Sequence, residues 1–160
     1  MNAKGMDGKM KNSALKNIEK YYIDDVVILH NDVAEIGWDF FGTEYKENTS
    51  DLKIIFNLPK NNKHLRAWLH GPLDGEITLE NNYTVKATYN YLKSNRAIDV
   101  RLVFDKEAVP NAIKISNVQA LDTILAIEKE RADKANNLRT RARVVITGIN
   151  VLTYLWYLGL

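Results

Sequence analysis

Val33-Ala34-Glu35-Ile36-Gly37-Trp38-Asp39-Phe40 is the stretch on which the fold turns. Ala34, Ile36, Trp38 and Phe40 alternate with Val33, Glu35, Gly37 and Asp39. That period of two sets one row against a core and the other toward water, as in a half-buried β-strand. The pattern recurs downstream. Leu52, Ile54, Phe56 and Leu58 oppose Lys53, Ile55 and Asn57; Tyr83, Val85, Ala87 and Tyr89 oppose Thr84, Lys86 and Thr88; Ile98, Val100, Leu102 and Phe104 oppose Asp99, Arg101 and Val103. Turn chemistry separates these runs at Asn31-Asp32, Gly42 to Asp51, Pro59 to Lys63, Gly71 to Gly75, Asn81-Asn82 and Ser94-Asn95. The spacing predicts about seven short strands in a mainly β fold, an antiparallel β-sandwich of jelly-roll or immunoglobulin-like type over residues 21–110.

The chain has 160 residues, room for one core, and its 46% hydrophobic and 26% charged content suits a folded globular domain. A net charge of +2 is too balanced for a nucleic-acid footprint, so no nucleic acid is expected as a partner. With no Cys, disulfide frameworks, thiolate metal sites and Cys catalysis are excluded. Residues 1–20 begin with Gly5, Gly8 and the three Met, without an apolar run, and read as a flexible lead.

After Pro110 the period changes. Ser116 or Asn117 can cap a helix whose apolar positions Val118, Leu121, Ile124, Leu125, Ala132, Ala135, Leu138 and Ala142 recur near 3.6. Glu128 and Arg139 interrupt that stripe and make its second half a weak core face. The C-terminal helix, residues 116–160, runs into an uncharged segment from Val144 to Leu160. Its length approaches the ~20 residues of a transmembrane helix, and Tyr154, Trp156 and Tyr157 are types that favour a headgroup interface. Val144, Val145, Ile146, Ile149, Leu152, Leu155 and Trp156 are therefore the expected membrane anchor, in a span that looks truncated. The alternative is a helix buried on the sheet.

No residue set forms an expected catalytic, cofactor or metal site. His64 and His70 fall on one strand face ~20 Å apart, too far to share an ion, and His30 has no partner at ligand spacing. Glu35 and Asp39 share a face at ~13 Å, beyond the ~5–10 Å of a glycosidase pair, and read as solvated. Gly37 to Gly42 has phosphate-loop spacing without the Lys such loops need. Trp68 shares its strand face with Arg66 and His70, opposite Leu65, Ala67 and Leu69. It can be a ligand platform or the lid of a second packing layer. Trp68, Arg66, His70, Glu35 and Asp39 are the candidate binding surface.

Asp32-Val-Ala-Glu-Ile-Gly-Trp-Asp-Phe-Phe-Gly42, Leu52-Lys-Ile-Ile-Phe-Asn-Leu-Pro59 and Trp68-Leu-His-Gly-Pro-Leu-Asp-Gly75 occur in this order. Val100-Arg-Leu-Val-Phe104 and Leu121-Asp-Thr-Ile-Leu-Ala-Ile-Glu-Lys-Glu130 follow. The combination resembles the YciQ-like predicted bacterial membrane proteins. The resemblance implies an extracytoplasmic β-sandwich tethered to the cell membrane, without an established activity. The chain lacks the export signal and first strands of that family, so it reads as the second part of the family domain. Arg139, Arg141 and Arg143 stand before the apolar segment, which by the positive-inside rule alone would put that side in the cytoplasm.

The function expected is a membrane-anchored, extracytoplasmic, non-enzymatic module for interaction, sensing or assembly. The lipid bilayer is its partner through the C-terminal segment, and a protein or glycan a further one. The alternatives are an exported carbohydrate-binding or hydrolase domain using Glu35, Asp39 and Trp68, and a soluble β protein with a buried C-terminal helix.

Overall fold

The computed structural model describes residues 25–59 and 62–158; the expected flexible lead lies outside them. Eight strands precede one long helix: β1 (Val27–Leu29), β2 (Ala34–Phe41), β3 (Thr49–Asn57), β4 (Arg66–His70), β5 (Glu76–Leu79), β6 (Thr84–Leu92), β7 (Ile98–Phe104), β8 (Lys114–Ile115) and α1 (Leu121–Tyr157). They form a five-stranded sheet of order β4-β7-β2-β1-β8 and a three-stranded sheet of order β3-β6-β5. All pairings are antiparallel except β1 with β8, which is parallel. The five-stranded sheet is therefore mixed, a departure from the purely antiparallel expectation.

The alternation read from the sequence is the alternation that packs. Ala34, Ile36, Val100, Leu102 and Phe104 of the larger sheet meet Val85 of the smaller one in a shared core, with Trp38, Phe40, Ala67 and Leu69 packed against it. Ile54, Ala87, Tyr89, Leu92 and Ile98 continue that core toward the other end. Phe40 of β2 meets Phe56 of β3 edge to face, with ring centroids 5.4 Å apart, which ties the two sheets together. Burial pushes the Tyr89 phenol up to about 12, with the nearby charges of Asp74 and Asp99 adding to the effect.

Two glycines in the loop after β4 are obligatory. Gly71 has φ +145°, and a Cβ there would lie 2.8 Å from the Ala97 carbonyl oxygen. A Cβ on Gly75 would lie 2.3 Å from the Tyr89 ring.

The helix does not begin where Ser116 or Asn117 would cap it. Residues around β8 are held extended against β1: Ser116 N–H donates to the Leu29 carbonyl, and Asn31 N–H to the Val118 carbonyl. Only after that tether is satisfied can the chain turn helical, so α1 starts at Leu121 with Ala120 in the N-cap position. The cap comes from another element. Asp32 accepts from the backbone N–H of Ala120 and of Leu121, 2.9 Å each.

From there α1 crosses the outer face of the five-stranded sheet as a third layer. Ala120 and Ile124 are buried against Val33 and Val103, with Trp68 and Leu121 beside them. Arg139 Nη2 still donates to the Leu73 carbonyl, at 3.0 Å. From Arg141 to Leu158 every residue is exposed. The C-terminal segment is thus not buried on the sheet.

Among the described residues no helix is long and apolar enough to cross a membrane, which corrects the expectation of a transmembrane segment there. Thr147, Gly148, Asn150 and Thr153 dilute the apolarity of the uncharged run that begins at Val144.

Candidate functional site

The outer face of the five-stranded sheet divides into an apolar half and an ionic half, and α1 covers both. The apolar half is the Val33, Val103 and Trp68 patch beneath Ala120 and Ile124. The ionic half arises because strand register brings the polar members of three strands together. Arg101 of β7 lies opposite Trp68 of β4 and Gly37 of β2, while Asp99 lies opposite His70 and Asp39. Glycine at 37 presents no side chain, and Arg101 reaches past it to Glu35.

Glu128 descends onto this patch from α1. Its side chain is only 2% exposed, and it accepts from Arg101 Nη1 at 2.7 Å and from His70 Nε2 at 2.7 Å. Arg101 Nε meets Glu35 Oε1 at 2.8 Å, and Glu35 Oε2 lies 2.8 Å from His30 Nε2. His70 Nδ1 contacts Asp99 Oδ2 at 2.5 Å. Arg131 Nη1 stands beside the same ring, 3.1 and 3.2 Å from its two nitrogens. Both His70 nitrogens face carboxylate oxygens. At His30 the Nδ1 atom is buried without a partner, so the ring there is satisfied through Nε2 alone.

The chemistry of this arrangement is cohesion. Arg101 and His70 hold the two oxygens of the buried Glu128 carboxylate, and removing one member strands the others in low dielectric. It pins α1 one turn beyond its apolar contact. The anchor at the start of α1 is electrostatic too. Burial by itself would raise the Asp32 carboxyl, but the Ala120 and Leu121 N–H groups outweigh it and hold the group below its ordinary 3.8.

Of the expected binding surface, Trp68, His70 and Glu35 lie in the interface with α1, while Arg66 and Asp39 are exposed. Glu35 is not solvated: its side chain is 12% exposed and ion-paired on both oxygens. Two clefts among the described residues are lined without Glu35, Asp39 or Trp68, one by residues including Val26, Val109 and Ile113, the other by Pro72, Asp74, Tyr91, Lys93 and Arg96. His64 pairs with Asp105, away from His70. Among the described residues no group of three or more His, Cys, Asp or Glu side chains is set to hold a metal ion.

Arg101, Asp99, Glu128, Arg131 and Asp32 were not singled out as site residues from the sequence. A signal existed for Glu128, a carboxylate on an otherwise apolar helical stripe.

The second feature is the end of α1. Eleven large apolar side chains between Val144 and Leu158 are exposed, Trp156 at 82% and Tyr157 at 83%. Arg139, Arg141 and Arg143 precede them.

Comparison with known proteins gives a single family. The model of the N-terminal domain of predicted membrane proteins, DUF2207, matches residues 10–104. No curated protein and no solved structure matches.

Proposed function

Because the chain belongs to the DUF2207 family of predicted membrane proteins, through their N-terminal domain, we propose that it is a β-sandwich module held at a membrane by α1. The observation that carries this reading is the bare apolar end of the helix. At roughly 1.5 kcal/mol or more for each large apolar side chain removed from water, the eleven residues represent a gross driving force above ~10 kcal/mol. The helix already satisfies its own backbone, which is the condition for entering hydrocarbon.

The body works without catalysis, as a rigid platform for interaction, sensing or assembly, and faces the extracytoplasmic side. Rigidity comes from the docked α1: the Asp32 cap, the Trp68 patch and the Glu128 pairs fix the angle at which the body stands on its anchor. A partner on that face of the sheet meets Arg66 and Asp39, the members that α1 leaves exposed.

Detergent partition tests the reading. The whole chain should enter the detergent phase, and a chain ending after Thr140 should remain in the aqueous phase with its β-sheet circular dichroism intact. A whole chain that is a soluble monomer without detergent would overturn it.

A further inference from the structure

The cleft lined by Pro72, Asp74, Tyr91, Lys93 and Arg96 has a volume of about 410 Å³. It lies at the end of the body from which α1 departs, since Arg139 bonds the carbonyl of Leu73, between two of its lining residues. Arg143 is one helical turn further, on the same face as Arg139. Some cations are paired, Lys86 with Glu80, Arg101 with Glu35, Lys129 with Asp133 and Lys134 with Glu130, while others on the body, Lys53 and Lys114 among them, stand exposed without an ion pair among the described residues. Lys93, Arg96 and Arg143 have no ion pair among the described residues. Asp74 is the one carboxylate in the cleft lining. Leu73 and Tyr91 stand exposed beside these charges, at 41% and 46%.

Depth supports a specific ligand. If Val144 marks the hydrocarbon boundary, Arg139 sits ~7.5 Å above it at ~1.5 Å per residue. The headgroup layer on each side is ~5–8 Å thick, so Arg139 and the Leu73 loop it holds stand at headgroup level. Unpaired cations with exposed leucine and tyrosine at that level suit an anionic lipid surface better than bulk water.

We propose that this end of the body docks anionic lipid, with a headgroup phosphate in the Lys93 and Arg96 cleft and Arg139 and Arg143 beside it. The proposal rests on the anchoring reading and adds which headgroups the body selects.

Flotation of the whole chain with phosphatidylcholine vesicles, with and without phosphatidylglycerol, tests it. The chain should bind both, and the anionic vesicles more tightly. Lys93→Gln with Arg96→Gln should lower affinity for the anionic vesicles about 25-fold, at about fivefold per cation, the factor given by about 1 kcal/mol for each surface cation. Affinity for pure phosphatidylcholine should not change. The paired control Lys53→Gln with Lys114→Gln, exposed cations elsewhere on the body, should leave both affinities as they were. Equal wild-type binding to the two vesicle types, or an equal loss in the control, overturns the headgroup proposal and leaves anchoring intact. Failure to bind either vesicle overturns both. Tight binding of inorganic phosphate without vesicles would assign the cleft to a soluble phosphate and overturn the lipid assignment.

Discussion

Asp32, in the turn before β2, caps a helix that begins 89 residues later, its two carboxylate oxygens taking the backbone N–H of Ala120 and Leu121 at 2.9 Å each. The cap joins the first strands to the last element of the fold and fixes where α1 starts. Replacing Asp32 by Ala removes both acceptors and should cost ~1–2 kcal/mol, the usual range for a lost N-cap. Hydrogen exchange should locate the loss in the first turns of α1, with β6 unaffected.

The same carboxylate sets an acid dependence. Its folded value is held below the ordinary 3.8, so its contribution is fully present above about pH 4 and is lost as pH falls through the lowered value. Asp105 acts in the same direction: burial would raise it, but the backbone N–H of Lys63 and the His64 ring outweigh that and lower it. Asp32→Asn should therefore flatten part of the acid-side loss of stability, and Asp32→Asn with Asp105→Asn more of it. Denaturant midpoints across pH 2 to 6 read this directly; an unchanged acid limb in the double variant would contradict it.

Glu128 is the member of the ionic patch with most to lose. Glu128→Ala leaves Arg101 and His70 facing each other without their shared carboxylate. With Arg101 23% exposed, the cost should fall near the lower end of the ~3–5 kcal/mol for a broken buried pair. Glu128→Gln keeps the shape and one acceptor and should cost less. In both variants exchange should rise through the docked part of α1, with the sheet register kept.

How the sequence bears on these features follows from the range of the forces. Strand alternation is local, and Ala34, Ile36, Val100 and Leu102 face the core as their period requires. The start of α1 was not legible, because what delays it is the tether of Ser116 and Val118 to β1 and the Asp32 cap, all contacts across more than eighty residues. The ionic patch was half legible. Glu128 breaks an apolar stripe and Arg101 an apolar strand, yet nothing local says that the two meet. Glu35 looked solvated because one of its two partners, Arg101, lies 66 positions away, on β7.

The two strand tryptophans separate core from interface. Trp38 packs against the shared core, and Trp38→Ala should cost ~3 kcal/mol or more through lost burial and a residual cavity. Trp68 packs against the patch of Val103, Ala120 and Ile124, so Trp68→Ala should also destabilise, but through α1. Thermal melts should show losses in both. Exchange should separate them, with protection falling in β2 and β7 for Trp38→Ala and in α1 for Trp68→Ala. A Trp68→Ala variant with unchanged stability and unchanged α1 protection would show that the ring adds nothing to docking.

The end of α1 can be altered without touching the body, because residues 141–158 are exposed. Ile149→Lys with Leu152→Lys places two charges where lipid should be. Each costs ~2.5–3.5 kcal/mol near the centre of a bilayer and less near its surface, where a lysine can reach the headgroups. In water the same changes remove exposed apolar surface and leave the sheets and the Glu128 patch as they are. The variant should therefore keep its melting temperature, lose its partition into detergent and stay monomeric at concentrations where the parent chain aggregates. A variant that still partitions would show that some other surface holds the protein at the membrane; one that unfolds would show that Ile149 and Leu152 are packed against the body.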